Sequence, residues 1–368
     1  MSFLWYWPAG GWDFDVWKRR QSWEAIRSEQ SGQAEPITLI SPGATRADWE
    51  AAAKTWRGIS DKLLGTLTDK PPAEVRFEWL GPTWRTENYT LRRLRYRLTD
   101  DEWGYAWLCQ PDEPRFKHAA VIAHHQTVVD GKHEPVAFNV IPEEQAGVYY
   151  AHELAARGFT VLAPDAIAFG ERQGGHRNAK YRSADDFFTA HPHGSVMLKM
   201  AFDASRAVDL LQQLPEVQAK KIASLGHSHG GYGTLFSMVT DPRITAGVIS
   251  CGIAFLRDDP RPERWWRRTA LIPRLGYYAD DIASAPIDFH HWIALCAPRP
   301  LFITAGTQDA IFPNQANIAK HLAHVRDVYA LYNAQDALQS DIFEGPHSFR
   351  PEAKERAYDM LAKVLAGT

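Results

Sequence analysis

After about residue 117, short apolar runs alternate with stretches in which apolar residues recur at steps of three and four. The short runs predict buried strands, and the longer spacing predicts helices with one apolar face. The predicted strands cover 119–123, 160–163, 222–225, 246–251 and 300–304. Each crossover helix must return its apolar stripe to the sheet. The alternation therefore predicts an α/β fold with a mostly parallel central sheet and helices on both faces.

The first hundred residues have a different pattern. Trp49 and Leu63 share one face of a predicted helix, with Thr45 placed to cap its start and Gly65 near its end. Residues 75–109 alternate between apolar and polar positions, as antiparallel strands do. We therefore expect an N-terminal extension of helix and β-strand before the main sheet.

These two patterns divide the chain into a helical arm with an antiparallel β section at 1–110 and an α/β domain at 111–368. Two insertions interrupt the second part, a polar one rich in glycine and histidine at 170–195 and a proline-rich one at 255–291. Both follow strand ends, and open α/β sheets bind ligands beyond the carboxyl ends of their strands. We expect both insertions to border the functional site.

Charge and composition exclude several classes of partner. The 41 basic and 44 acidic residues give a net charge of −3, without the basic surface that nucleic-acid binding requires. No apolar run is long enough for a membrane-spanning helix, and the N-terminus lacks the pattern of a signal peptide. The three cysteines form no CxxC pair, so we expect reduced thiols in a cytoplasmic protein that contacts neither nucleic acid nor membrane.

A GxSxG motif, Gly226 to Gly230, follows the predicted strand 222–225 and precedes a predicted helix. A serine on a tight strand-to-helix turn needs neighbours without side chains two positions away, because a Cβ there would collide with the strand or the helix. The helix that follows also directs its amide dipoles at the site. This context makes Ser228 the candidate nucleophile, in preference to a glycine-rich turn used for close packing.

A nucleophilic serine needs a base and an acid that orients the base. Asp309 follows the predicted strand 300–304, and His347 follows a further predicted strand at 340–343, so both lie at strand ends. The order Ser228, Asp309, His347 is the order expected for a parallel α/β sheet of this kind. Other acidic and imidazole side chains downstream lie in helices, caps or insertions.

Acyl transfer also needs two amide donors aimed at the oxyanion that develops in the transition state. One is expected to be the backbone N–H of His229, directly after the nucleophile. The second should come from the loop after strand 119–123. Thr127 is the first candidate there and Gln126 is the alternative.

Three other features have a structural and a functional interpretation. Four imidazoles at 124, 125, 227 and 229 suggest zinc, but no acidic ligand accompanies them in a known metal spacing. Glu171 and Arg172 are expected to form an ion pair that fixes their loop. Trp265 and Trp266 are candidates for substrate binding through their flat faces, and equally for anchoring the insertion to the core.

Taken together, the motifs resemble those of the acetyl xylan esterase-like and dienelactone hydrolase-like branch of the α/β hydrolases. In chain order they are HHQTVVDGKHEP, YYAHELAARGFTVLAPDAIAFGER, LGHSHGGYG, APRPLFITAGTQDAIFP and GPHSF. The resemblance spans about residues 115–365 and implies an α/β-hydrolase fold, a serine esterase mechanism, and no metal or organic cofactor. It implies Ser228 as nucleophile, Asp309 as acid and His347 as base, with the amides named above as the oxyanion hole.

The expected function is hydrolysis of carboxylic esters, with acetyl-type acyl groups and a small-molecule substrate, through an acyl-enzyme on Ser228. The pattern does not indicate an oligomeric state. Two alternatives stay open: a serine peptidase of the prolyl oligopeptidase kind with the same triad, and a non-catalytic binding protein that keeps the fold. The first 110 residues are too few for the propeller that such peptidases usually carry.

Overall fold

The computed structural model describes residues 39–366 except 69, 73, 117, 139–147, 174–186, 189, 267–270 and 314–316. The first described helix, α1, spans Arg46–Leu64. The Thr45 side chain accepts a hydrogen bond from the Asp48 amide, and the Asp48 carboxylate accepts one from the Thr45 amide, which completes a capping box. Gly65 ends the helix with φ of 88°. The helix and both of its ends are as predicted.

One nine-stranded sheet forms the centre of the protein. Its strands are β1 (Phe77–Arg85), β2 (Tyr89–Arg97), β3 (Trp103–Pro111), β4 (His118–His124), β5 (Thr160–Pro164), β6 (Val217–His227), β7 (Ile244–Ser250), β8 (Leu301–Gly306) and β9 (Leu338–Phe343). Their spatial order is β1-β2-β3-β5-β4-β6-β7-β8-β9. The pairings of β1 with β2, β2 with β3 and β3 with β5 are antiparallel, and the other pairings are parallel.

The N-terminal β section thus extends the same sheet as the rest of the chain. Strand β3 pairs with β5, with Ala106 opposite Pro164 and Cys109 opposite Val161. The boundary that we drew at 110/111 falls before the last residue of β3, inside one continuous sheet.

Helices cover both faces of the sheet, as its apolar parallel strands predict. They are α2 (Tyr150–Ala156), α3 (Val196–Leu211), α4 (His229–Thr240), α5 (Phe289–Ala294), α6 (Ile318–Ala330) and α7 (Pro351–Ala366). Helices α2 and α7 pack on one face, and α1, α3, α4, α5 and α6 on the other. Alternate residues of β4 point to opposite faces: Ala120 and Ile122 join the larger core, and Val121 joins the smaller one. No helix of the described residues has both the length and the apolar character needed to cross a membrane.

The carboxyl ends of the parallel strands meet at one edge of the sheet. His124, His227, Ser250 and Gly306 end β4, β6, β7 and β8 there. The described part of the second insertion, residues 255–266 and 271–288, follows β7 as a series of short 3-10 turns. Much of the first insertion, residues 174–186 and 189, lies outside the described residues.

Candidate active site

Ser228 lies on the sharp turn between β6 and α4. Its backbone has φ of 55° and ψ of −116°, a conformation that non-glycine residues rarely adopt. The turn is held by the Ser228 amide, which donates to the Ser250 carbonyl at 2.7 Å, and by the Gly231 amide, which donates to the Ser228 carbonyl at 2.9 Å. A strained backbone at a strand end is typical of a functional residue whose side chain must be presented away from the sheet.

Two glycines make this turn possible. A Cβ on Gly226 would lie 2.2 Å from the backbone carbon of Gly230, and a Cβ on Gly230 would lie 2.2 Å from the carbonyl oxygen of His124. Both distances are far below van der Waals contact. The spacing of glycine, serine and glycine in the motif is therefore a steric requirement of the fold, as predicted.

Asp309 and His347 meet as predicted. Asp309 follows β8 and His347 follows β9, and His347 Nδ1 lies 2.6 Å from Asp309 Oδ2. The Asp309 side chain has no exposed surface, and its other oxygen accepts hydrogen bonds from the amides of Ile311 at 2.7 Å and Phe312 at 2.9 Å. The carboxylate is thus fixed from both sides, so it can orient the imidazole and balance its charge.

The His347 ring lies beside the turn that carries Ser228. Its centroid is 4.7 Å from the ring centroid of His227, the residue before the serine. Ser228 Oγ and His347 are not hydrogen-bonded to each other among the described contacts. Hydrogen bonds between catalytic groups are often long in unliganded enzymes and tighten when substrate binds. The structure therefore brings the candidate acid and base into contact and places the imidazole beside the residue that precedes the serine.

A further side chain reaches the base. Cys251 follows β7 with φ of 46°, and its Sγ lies within 4.8 Å of both the His347 ring and the Asp309 carboxylate. Burial lowers the pKa of His347, but the hydrogen bond to Asp309 and the neighbouring Cys251 outweigh burial and raise that pKa to about 9. These neighbours therefore favour the protonated form of the ring and make it a stronger proton acceptor than an ordinary histidine.

The candidate oxyanion donors lie on two segments, the start of α4 and the loop after β4. His229 is the first residue of α4, directly after Ser228. Gln126 and Thr127 follow His124 and His125, whose carbonyl oxygens approach α4 so closely that Gly230 has no room for a side chain. The Gln126 side chain donates to Glu134 at 2.7 Å. His229 is thus adjacent to the nucleophile, and the roles of His229, Gln126 and Thr127 in oxyanion binding stay predictions.

The two insertion tryptophans are placed in the core. Trp265 has no exposed surface and Trp266 is 5 % exposed. The Trp265 ring lies 4.8 Å from Phe289 and 5.5 Å from Tyr232, centroid to centroid. This placement favours the anchoring interpretation, because a stacked sugar ring would need an exposed face.

The expected ion pair between Glu171 and Arg172 is wrong. Glu171 instead pairs with the buried Lys132 at 2.7 Å, and Arg172 pairs with Glu102 at 2.5 Å and Asp203 at 2.6 Å. Neighbouring side chains in a 3-10 turn point in different directions, so each finds its partner on another element. The loop is nevertheless fixed by ion pairs, which tie it to the start of β3 and to α3.

A metal site requires several ligand atoms close to one point. Among the described residues, three possible ligand atoms come together only at Cys251, Asp309 and His347, and not at the four histidines at 124, 125, 227 and 229. Ligands of one tetrahedral zinc ion lie about 3.3 Å or more apart, given bond lengths of about 2.0–2.1 Å. The 2.6 Å between His347 Nδ1 and Asp309 Oδ2 is a hydrogen-bond distance instead. The spacing of Asp309 and His347 therefore suits a shared proton better than a shared metal ion.

Two residues near the site escaped sequence reasoning. Cys251 looked like an apolar core thiol, although its place at the end of β7 was a usable signal. Glu134 lies within the HHQTVVDGKHEP motif without a pattern of its own, yet it is 1 % exposed, and burial, only partly offset by Gln126, raises its pKa to about 7. No local pattern reveals such burial, because it depends on the loops folding over the sheet.

Comparison with known proteins shows the family. Residues 131–364 match the family model described as the alpha/beta hydrolase family, which covers more than half of the chain. The chain belongs to the alpha/beta hydrolase family. This confirms the α/β-hydrolase fold and the family resemblance inferred from the motifs.

Relatives of this α/β hydrolase include named enzymes. It is 32% identical over 139 residues to the carbohydrate esterase MZ0003 from an unknown prokaryotic organism, a match that covers 36% of this chain and 32% of the relative. The chain thus spans about a third of that esterase. It is 26% identical over 284 residues to YtaP of Bacillus subtilis (strain 168), named as a hydrolase, with 75% of this chain and 87% of YtaP covered.

Solved structures share the fold of the α/β hydrolase. A glucuronoyl esterase from Solibacter usitatus superimposes with a TM-score of 0.70 at 17% identity, covering 92% of this chain and 99% of that enzyme. A Bacteroides fragilis protein assigned as an acetyl xylan esterase superimposes with a TM-score of 0.64 at 14% identity, covering 93% and 89%. At these identities the similarity concerns the fold.

Proposed function

We propose that the protein is a serine esterase that hydrolyses short-acyl carboxylic esters on carbohydrates. The observation that carries the proposal is the 2.6 Å contact between His347 Nδ1 and Asp309 Oδ2, formed beside a serine whose backbone has φ of 55°. A non-catalytic protein would have no need for a strained serine next to a base oriented by a buried acid.

In the proposed mechanism, His347 takes the proton of Ser228 as Oγ attacks the ester carbonyl. The tetrahedral oxyanion is stabilised by the His229 amide and by an amide of the loop after β4. The protonated imidazole then gives its proton to the leaving alcohol, and an acyl group remains on Ser228. Water, deprotonated by His347, attacks this acyl-enzyme and releases the acid. Asp309 keeps the ring oriented and stabilises its positive charge throughout.

The relatives support the carbohydrate part of the proposal. One relative is a carbohydrate esterase, and the similar folds include a glucuronoyl esterase and an acetyl xylan esterase. The family resemblance implies acetyl-type esters, in which the sugar is the alcohol portion. In a glucuronoyl ester the sugar supplies the acid instead, so the two substrate types place the carbohydrate on opposite sides of the scissile bond.

An ester panel tests the proposal. The purified protein is assayed on p-nitrophenyl esters from acetate to decanoate, on acetylated xylo-oligosaccharides, and on the methyl ester of glucuronic acid. We expect the highest kcat/KM for acetyl esters, with acetylated sugars above p-nitrophenyl acetate. A preference for decanoate would contradict the short-acyl proposal, and turnover of the glucuronate ester alone would reassign the carbohydrate to the acid side.

Serine substitution separates the alternatives. Ser228→Ala should lower kcat by about 10⁴-fold or more and abolish labelling by a fluorophosphonate probe. Ser237→Ala, which removes another buried serine of the same helix region, is the matched control and should leave both unchanged. Faster cleavage of aminoacyl p-nitroanilides than of esters would favour a peptidase. A wild-type protein that neither turns over esters nor reacts with the probe would be a binding protein.

A further inference from the structure

The loop after β4 is held by two buried side chains that the triad does not use. His125 and Glu134 are each 1 % exposed. Both contact Gln126, the residue before the first candidate oxyanion donor, Thr127. We name residues 125–128 the oxyanion loop.

The contacts of His125 define which ring nitrogen carries the proton. The Ala166 amide donates to Nε2 at 3.0 Å, so Nε2 is an acceptor without a proton. Nδ1 therefore carries the proton of the neutral ring and donates it to the Gln126 carbonyl oxygen at 2.6 Å. Burial lowers the pKa of His125, which favours this neutral form. The ring thus bridges the end of β5 and the carbonyl of Gln126.

Glu134 holds the other side of Gln126. Its carboxylate accepts a hydrogen bond from the Gln126 side chain at 2.7 Å. Together with the hydrogen bond from His125 to the Gln126 carbonyl, this contact holds Gln126 from both sides.

The fixed carbonyl of Gln126 determines the direction of the next amide. In a trans peptide the C=O of one residue and the N–H of the next point in opposite directions. The Gln126 carbonyl faces His125 and also accepts from the Val128 amide at 2.9 Å, which closes a tight turn around Thr127. The Thr127 amide must therefore point away from His125.

We propose that His125 and Glu134 are positioning residues that clamp Gln126, so that the Thr127 amide is the second oxyanion donor. This inference rests on the proposed esterase function. The loop contains no helix or strand that would fix its peptide planes. The contacts of His125 and Glu134 fix them instead. Preorganised donors are effective because they cost no reorganisation when the oxyanion forms.

Paired substitutions test the clamp by kinetics on the best ester of the panel. His125→Phe and Glu134→Ala remove the contacts to Gln126, and kcat should fall about 10- to 100-fold while KM changes less than about twofold, because ground-state binding is untouched. His125→Asn keeps a donor near the position of Nδ1, and Glu134→Gln keeps an acceptor, so each should recover most of the loss. His290→Phe, at an equally buried histidine of α5, should leave kcat unchanged.

A proline substitution tests the donor itself. Thr127→Pro removes the backbone N–H, and proline suits the turn because Thr127 is not among the described residues with positive φ. We expect a loss of about 10²- to 10³-fold in kcat, the usual effect of losing one oxyanion donor. Gln126→Pro should cost less, because it leaves the Thr127 N–H in place. Equal kcat for Thr127→Pro and wild type would overturn the assignment.

Hydrogen–deuterium exchange tests the clamp independently of any substrate. Peptides that span residues 120–130 should exchange faster in His125→Phe and Glu134→Ala than in wild type or in His290→Phe. Unchanged exchange in both clamp variants would overturn the proposal, even if esters proved to be poor substrates. Faster exchange with no ester turnover in wild type would leave the clamp supported and refute the esterase function instead.

Discussion

The turn that carries Ser228 and the oxyanion loop lie side by side, but they are fixed by opposite means. The turn is shaped by missing side chains, since a Cβ on Gly226 or Gly230 would come within 2.2 Å of backbone atoms. The loop is shaped by side chains that are present, buried and polar, namely His125 and Glu134. The turn therefore depends on backbone sterics, and the loop depends on hydrogen bonds that are buried away from water.

This difference explains why one region is evident in the sequence and the other is not. Steric requirements of a tight turn are local, so they leave a short motif with glycines at set positions. Hydrogen bonds between buried side chains depend on long-range packing. His125 accepts from Ala166, 41 residues away, and no spacing rule links the two. The two regions should therefore respond differently to substitution.

The largest effect is expected from the acid that serves the nucleophile turn. Asp309→Asn keeps the shape of the side chain but removes the charge that orients and stabilises the imidazolium, so kcat should fall about 10⁴-fold. Steady-state kinetics measures the fall, and circular dichroism checks that the fold persists. A loss below about tenfold would show that another group, such as Cys251, supports the base.

Gly230→Ala tests the steric requirement of the turn that carries Ser228. The new Cβ would press on the His124 carbonyl at the start of the oxyanion loop, so the free energy of unfolding should fall by about 3 kcal/mol or more. Gly58→Ala is the matched control, because nothing lies within 4 Å of its Cβ in the middle of α1. There the free energy of unfolding should rise by about 1 kcal/mol. Urea denaturation of both variants gives the comparison, and equal effects would contradict it.

The pH dependence of stability tests the buried polar side chains that hold the oxyanion loop. The pKa of Glu134 is raised to about 7 in the folded protein from an ordinary value of 4.5, so wild type should lose stability as pH rises from about 4.5 through 7. Glu134→Gln has no proton to lose there. The difference in unfolding free energy between variant and wild type should grow by about 2–3 kcal/mol in favour of the variant from pH 4.5 to 8. A constant difference would show that Glu134 is not held neutral.

The smallest change concerns the base. His347 must be unprotonated to accept the serine proton, so kcat/KM should rise with pH and reach half of its maximum near pH 9. Cys251 contributes to that raised pKa, so Cys251→Ala should move the rising limb to lower pH. Cys296→Ala, at another fully buried free cysteine, should leave the profile in place. Identical profiles for all three proteins would exclude a role for Cys251.

Much of the fold followed from pattern alone. The apolar runs located β4 to β8, and helical spacing located α1, because strands and helices impose different periods on a half-buried chain. The order Ser228, Asp309, His347 followed from strand ends. Partners within loops did not follow: Glu171 and Arg172 pair with residues on other elements, and Trp265 is buried in the core.

The sequence by itself determined which residues form the sheet, which serine stands on its tightest turn, and which acid and imidazole follow the neighbouring strands. These features are local, and periodicity and glycine placement encode them directly. Only the tertiary structure decided how Cys251 approaches the base, how Glu134 becomes buried, and how His125 bridges β5 to the oxyanion loop. These arrangements depend on how separate segments pack together. Burial then strengthens the charge interactions and hydrogen bonds of these side chains.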